Sequence, residues 1–275
     1  MMTLGVGIIG CGSIGSVIAY AIDRGQAGKT QLLVVYDRVI ERALSISQGL
    51  SSKPKIAKNF NEFLKCRDLS LVVEAASQEA VKAYAPMILR AGKDLIIMSA
   101  GALVDHNLIK EIRCIAEENC RRIYVPSGAI AGLDGVKAAT CRAIEKVTLT
   151  TRKPIEALRD SPYFREKFGN RIIKEPIIIY EGPALEACKL FPFNVNVAAT
   201  LSLAGIGPER TLVRIVADPT INCNIHKIEV GGEFGTLEVS VENIPMPSNL
   251  RTSFLAALSA IALLRRITDP LQVGT

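Results

Sequence analysis

Leu4-Gly5-Val6-Gly7-Ile8-Ile9-Gly10-Cys11-Gly12-Ser13-Ile14-Gly15 joins an apolar run to a glycine turn and then to the first residues of a helix. In that order Gly10, Gly12 and Gly15 have separate physical uses. They allow a tight turn, close approach of backbone to a pyrophosphate, and close packing of helix on strand. The new helix, with Ser13 and Ile14 in its first turn, offers unpaired N–H groups and partial positive charge to phosphates. Glycines gather in turns for many reasons, so the spacing alone is weak, and its context carries the weight. Asp37 follows at the end of the next strand-like run, about twenty residues on, where a carboxylate accepts hydrogen bonds from ribose hydroxyls and disfavours a 2′-phosphate. Arg38 and Arg42 stand beside it and would take that phosphate if Asp37 swung aside, so NAD or NADP fits.

Working outward, the first half alternates. Short β-branched runs at Leu4–Ile9, Gln31–Tyr36, Leu69–Glu74, Asp94–Met98 and Arg122–Val125 are separated by helical patterns at Ile14–Arg24, Ile40–Leu50, Glu79–Ala91 and Asn107–Asn119. Strands apolar on both faces and spaced by helices imply a parallel sheet covered on both sides, and right-handed crossovers make it doubly wound. The expectation is a Rossmann-like α/β domain. Ligands of such sheets sit where strands end, which singles out two further loops. These are Glu74-Ala75-Ala76-Ser77 and Ser99-Ala100-Gly101-Ala102, whose small side chains let backbone approach a cofactor.

After Pro126 the rhythm changes to longer, alternating strands at Lys146–Arg152, Pro176–Tyr180, Thr211–Asp218, Asn224–Val230 and Thr236–Val241. Polar-out alternation suits an open, largely antiparallel sheet with one face packed. Helices fit near Leu133–Ala143 and Asn194–Ala204, and Ser253–Arg265 forms a closing helix. The expected organisation is a dinucleotide-binding domain of residues 1–126 plus 246–275, with a returning C-terminal helix. An inserted α+β domain of residues 127–245 would serve substrate and dimerisation.

The totals agree with a two-domain chain. Its 275 residues are 49% hydrophobic and 22% charged, with a net charge of +6 from 33 basic and 27 acidic residues. The basic residues are scattered, aromatics are sparse and Trp is absent, which argues against nucleic-acid binding. A mild positive field suits small anions. The apolar run from Phe254 to Leu264 is too short for a bilayer, so no membrane association is expected. Seven cysteines without a CxxC pair, and no secretory leader, point to reduced thiols in the cytoplasm. No nucleophile elbow, metal-ligand cluster or Walker loop occurs, so no metal site is expected.

Only two histidines are available for acid–base work. His106 lies beside Asp105, a helix-cap residue, and reads as surface or structural. His226 lies on the Asn224–Val230 strand. Imidazole suits proton transfer near neutral pH, yet strand histidines also serve structure, and the residues alone leave both open. Asn194 reads as a helix N-cap. Asn196, in the first turn, is equally suited to structure or to facing a nicotinamide carboxamide or a substrate.

Beyond the glycine turn, three segments are distinctive: Pro126-Ser127-Gly128-Ala129-Ile130-Ala131-Gly132-Leu133-Asp134, Phe191-Pro192-Phe193-Asn194-Val195-Asn196-Val197-Ala198-Ala199-Thr200 and Asn224-Ile225-His226-Lys227-Ile228-Glu229-Val230. With the tail from Thr252 to Thr275, the chain resembles the L-aspartate dehydrogenase family over nearly its whole length. The resemblance implies that His226 is the catalytic histidine and that Ala129 and Asn196 lie against the nicotinamide half of NAD(P). It implies oxidation of L-aspartate to iminoaspartate, which yields oxaloacetate and ammonia or feeds NAD biosynthesis through quinolinate synthase. The reverse is reductive amination, and the implied assembly is a homodimer. Asn196 and His226 would meet the substrate, and Arg251, Lys227, Thr252 and Ser253 are candidates for its second carboxylate. Arg251 stands where relatives often carry Lys, and Ala131-Gly132 where Gly-Gly is frequent. A homoserine dehydrogenase- or dihydrodipicolinate reductase-like enzyme is the alternative within the class. A catalytically silent NAD(H)-binding regulator is the alternative outside it.

Overall fold

The computed structural model describes residues 3–159, 161–169, 171–191, 196–246 and 249–275, and of Leu250 and Arg251 the backbone only. By compactness the chain divides into two units. One comprises the residues up to Pro126 with Ala257–Val273, and the other runs from Ser127 to Ala256 with the last two residues.

In the first unit, β1 (Leu4–Ile9), α1 (Ser13–Asp23), β2 (Thr30–Tyr36), α2 (Ile40–Gly49), β3 (Lys55–Ile56), α3 (Phe60–Leu64), β4 (Leu71–Glu74), α4 (Gln78–Arg90), β5 (Asp94–Ile97), α5 (His106–Glu118) and β6 (Ile123–Tyr124) follow in turn. Their strands form a six-stranded sheet in the order β3-β2-β1-β4-β5-β6, and every pairing is parallel. Strand side chains point alternately to opposite faces, so each strand feeds two cores. Val6, Ile8, Leu71 and Val73 pack with Ile18 and Ile22 of α1 on one side. Ile9, Val72, Leu95 and Ile97 pack with Val81, Ile88 and Ile112 on the other. This is the doubly wound α/β architecture read from the sequence. Sequence reading passed over β3 and α3, because two and five residues carry too little periodicity to register.

The second unit contains α6 (Leu133–Ala139), β7 (Ile144–Lys153), α7 (Ile155–Leu158), α8 (Pro162–Phe168), β8 (Ile177–Pro183), α9 (Ala184–Leu190), α10 (Asn196–Ala204), β9 (Leu212–Ala217), β10 (Asn224–Gly232) and β11 (Gly235–Asn243), then a hairpin of β12 (Pro245–Met246) and β13 (Asn249–Ser253). Its five-stranded sheet has the order β11-β10-β7-β9-β8, antiparallel except for the β7–β9 pair. Three short helices, α7, α8 and α9, occupy stretches where only α6 and α10 were expected. Each spans four to seven residues, too few for a helical apolar stripe to show.

The last helix, α11 (Phe254–Thr268), buries Ala260, Ile261 and Leu264 in the core that contains α1. By compactness the division falls between Ala256 and Ala257, with the β12–β13 pairing and the Phe254 N–H to Ile244 carbonyl bond on the side of the second unit. No described helix is long and apolar enough to cross a membrane. All seven cysteines are free thiols, and burial is the main cause that pushes Cys11 and Cys188 up to about 12.

Candidate active site

In the first unit the β1–α1 turn is shaped by its glycines. Gly10 sits at φ +93°, where a Cβ would lie 2.5 Å from the Ala75 carbonyl oxygen. A Cβ on Gly15 would lie 1.9 Å from the Gly10 carbonyl oxygen, so α1 rests directly on the turn. Gly12, at the N-cap of α1, has no protein atom within 4 Å of its Cβ position and no side-chain cap. An open cradle at a helix N-terminus matches what a pyrophosphate needs.

A cavity of about 260 Å³ opens beside this turn, with Gly10, Gly12, Asp37, Arg38, Ala75 and Ala76 on its wall. Tyr36, Glu79, Ala80 and Tyr84, none singled out from sequence, complete much of the rest. Asp37 Oδ2 accepts from Cys11 N–H at 2.7 Å and Oδ1 from Val39 N–H at 2.8 Å. The carboxylate therefore fixes the glycine turn, and its remaining lone pairs can still accept ribose hydroxyls. Arg38 and Arg42 share the wall with it. Ser13 and Ile14 occupy the first turn of α1, where Ile14 leans on the core.

Glu74 joins the two crevice loops. Fully buried, its carboxylate accepts from the N–H groups of Ala76 (2.8 Å), Ser77 (3.0 Å) and Ser99 (3.0 Å) and from the Ser99 hydroxyl (2.9 Å). Burial pushes its carboxyl up against the pull of these bonds. Ser99 thus spends both its donors on Glu74, and Ala100 is buried in the 3₁₀ turn that follows. His106 is exposed at the start of α5, capped by Asp105.

In the second unit His226 is 3% exposed, and its Nδ1 lies 3.0 Å from Thr151 Oγ1. The two residues are register partners on β10 and β7. Burial first, and then the charge of Lys153, pushes the imidazole from 6.5 down to about 3, so it is neutral at physiological pH. Lys153, two residues beyond Thr151 and hence on the same face, is buried too, and burial pulls its ammonium down to about 8. Neither Thr151 nor Lys153 was marked in the sequence reading. Their relation to His226 depends on strand register, which one sequence does not display.

Ala129 is buried, and its carbonyl accepts from Asn243 Nδ2 at 3.0 Å. Ser253 is buried and its Oγ accepts from Asn224 Nδ2 at 3.3 Å, which ties it to the strand of His226. Thr252 Oγ1 lies 3.0 Å from Asn249 Nδ2. Asn196 opens α10. Asn194 and the Arg251 side chain lie outside the described residues. Lys227, a candidate for the substrate's second carboxylate by sequence, lies away from His226. Next to His226 on a strand it points to the opposite face, where it pairs with Glu229 (3.3 Å) and Glu238 (3.1 Å).

A glycine-turn dinucleotide site on a doubly wound sheet, with a separate α+β unit carrying a buried neutral histidine, defines a nicotinamide-dependent oxidoreductase. Comparison with known proteins narrows the class. Residues 10–126 match the family model "Homoserine dehydrogenase, NAD binding domain", and residues 134–267 match "Aspartate dehydrogenase, C-terminal". The chain is 51% identical to the L-aspartate dehydrogenase of Methanocella arvoryzae over 98% of its length and 99% of the relative's. It is 46% identical to that of Methanosarcina barkeri, over 99% and 100%. The crystal structure of aspartate dehydrogenase from Thermotoga maritima superposes with a TM-score of 0.79 at 30% identity, covering 98% of this chain and 99% of that one. The chain belongs to the L-aspartate dehydrogenase family. The homoserine dehydrogenase likeness stops at the dinucleotide half, so the second unit decides between the readings.

Proposed function

We propose that this protein oxidises L-aspartate to iminoaspartate with NAD or NADP and catalyses the reverse reductive amination. The observation that carries the chemistry is His226, buried and neutral beside Thr151, in a chain whose relatives are named for this activity. Bound nicotinamide supplies the hydride acceptor. Gly10, Gly12 and the start of α1, with Ser13, Ile14 and Gly15, hold the pyrophosphate. Asp37 and Arg38 meet the adenosine ribose, and Ala75, Ala76, Ser99 and Ala100 line the crevice. Ala129 and Asn196 serve the nicotinamide end, and Asn196, Arg251, Thr252 and Ser253 join His226 at the substrate. With Nδ1–H donated to Thr151, the Nε2 lone pair of His226 accepts the proton released as the amine becomes an imine. General-base help of this kind contributes about 10²–10⁴-fold.

The domain assignment that goes with this reading gives residues 1–126 and the closing helix to the dinucleotide and residues 127–245 to the substrate and a homodimer contact. The enzyme is read as cytoplasmic, and because the imine hydrolyses in water, prompt hand-over to quinolinate synthase would carry it into pyridine nucleotide biosynthesis. The first test follows cofactor reduction by the purified protein with L-aspartate, D-aspartate, L-glutamate and L-homoserine, each with NAD and NADP. Selective turnover of L-aspartate is expected. Turnover of homoserine alone would move the chain to the alternative family, and dinucleotide binding without turnover would make it a silent regulator.

Two variants test individual roles. Asp37→Ser should lower kcat/KM with NAD about tenfold, equivalent to ~1.4 kcal/mol, and raise the NADP-to-NAD ratio, since Arg38 and Arg42 remain on the wall. An unchanged ratio would remove Asp37 from cofactor choice. Thr151→Val should lower kcat about five- to tenfold through loss of one orienting hydrogen bond, with KM for NAD unaltered and Thr151→Ser restoring most of the rate. Full activity in the valine variant would show that the ring needs no such partner.

A further inference from the structure

Glu74 is the last residue of β4, level with Ile9 of β1 and Ile97 of β5 in the parallel register. A charged side chain in the middle of a doubly wound sheet is costly, yet this one is 2% exposed. Its oxygens face donors only. Oε1 takes the Ala76 and Ser77 N–H groups and the Ser99 hydroxyl, and Oε2 takes the Ser99 N–H. That set matches in number the lone-pair sites of an ionised carboxylate. A protonated carboxyl would instead set its own O–H against backbone N–H groups that cannot turn into acceptors. None of these donors is a cation, so dipoles hold the charge without cancelling it.

The place of this charge follows from the strand order. Asp37 follows β2, the glycine turn follows β1, and Glu74 ends β4 on the far side of β1. A dinucleotide with its adenosine ribose at Asp37 and its pyrophosphate at the turn therefore runs its nicotinamide half towards β4 and β5. The loops that leave those two strands are the ones Glu74 ties together, through Ala76 and Ser77 after β4 and Ser99 after β5. Ala75, Ala76 and Ser77 also stand on the cavity wall shared with Gly10, Gly12 and Asp37. Oxidised nicotinamide carries a positive charge on its ring, and accepting a hydride removes it. A fixed anion on that side of the crevice attracts the oxidised ring and leaves the reduced one indifferent.

We propose that Glu74 is a positioning residue for the nicotinamide half of the cofactor, a buried carboxylate that sets the two crevice loops and favours the oxidised form over the reduced one. The proposal rests on the dinucleotide site assigned above and adds a residue to it. In the direction of aspartate oxidation the bias selects the form that accepts hydride.

The test measures dissociation constants for NAD and NADH by calorimetry in wild type, Glu74→Gln and Glu74→Asp, each checked by thermal unfolding. Glutamine removes the charge, whereas aspartate keeps it on a shorter stem. The ratio of the NAD constant to the NADH constant should rise about 3- to 10-fold in Glu74→Gln and stay near the wild-type value in Glu74→Asp. A role confined to holding the loops weakens both forms alike. An unchanged ratio in folded Glu74→Gln would therefore overturn the proposal and leave the cofactor site standing. If the glutamine variant does not fold, NMR of wild type isotope-labelled at its glutamate carboxyls reads the same charge, with Glu74 assigned from Glu74→Asp. An ionised carboxylate at neutral pH is expected there, and a protonated one contradicts the proposal. A wild type that binds neither the NAD nor the NADP pair would sink the cofactor site and the proposal together.

Discussion

His226→Ala is expected to lower kcat for L-aspartate oxidation by about 10²–10⁴-fold while the dissociation constant for NADH stays at its wild-type value. The two readouts separate because the histidine and the dinucleotide cradle belong to different units of the chain. A stability signature accompanies the kinetic one. The folded imidazole titrates at about 3, below its ordinary 6.5, so on acidification the unfolded chain takes up the proton first. The stability this group contributes is therefore present above about pH 6.5 and is lost as the pH falls towards 3. In His226→Ala that part of the acid dependence should vanish from urea unfolding curves collected across the window. Wild-type turnover in this variant would remove His226 from the mechanism.

Gly15→Ala and Gly12→Ala should fail differently, although each adds one methyl group to the same turn. At Gly15 the new Cβ would overlap the Gly10 carbonyl oxygen at 1.9 Å, and backbone on both sides leaves nothing flexible to yield. Helix α1 must lift away from the turn, at a cost of about 3 kcal/mol, the upper end for overpacking. Thermal stability should drop and NADH binding weaken together, by as much as a hundredfold or more if most of the cost falls on binding. At Gly12 the methyl group meets no protein atom within 4 Å and φ is −79°, so the fold should be untouched. It projects into the space a pyrophosphate needs, so NADH affinity alone should fall. Equal loss of stability in both variants, or undiminished NADH binding in Gly12→Ala, would contradict this account of the turn.

The parallel sheet and its two covered faces were legible because they rest on periodicity. Runs such as Leu71-Val72-Val73 supply both faces at once, and the glycine turn follows the strand that starts the domain. Asp37 was legible as a carboxylate at a strand end, but its bond to Cys11 N–H was not, since that depends on how the turn curls back. In the second unit α7, α8 and α9, of four to seven residues, left no stripe to read. What escaped most consistently was cross-strand neighbourhood. Thr151 meets His226 across 75 positions of sequence, and Lys153 joins them through the same register. Lys227, adjacent in sequence to His226 and a candidate for the substrate's second carboxylate, is turned to the other face by strand alternation. The second unit's chemistry is written in pairings that only the folded sheet displays.

The most direct measurement follows the hydrogen itself. L-Aspartate deuterated at the α-carbon is incubated with the protein and NAD or NADP, and the reduced cofactor is analysed by mass spectrometry. The account predicts one deuterium on the nicotinamide ring of each molecule formed, with a slowed rate, and almost no label transferred by His226→Ala in the same time. Reduced cofactor without deuterium, or none formed while the dinucleotide binds, would contradict the assignment of this chain as an L-aspartate-oxidising enzyme.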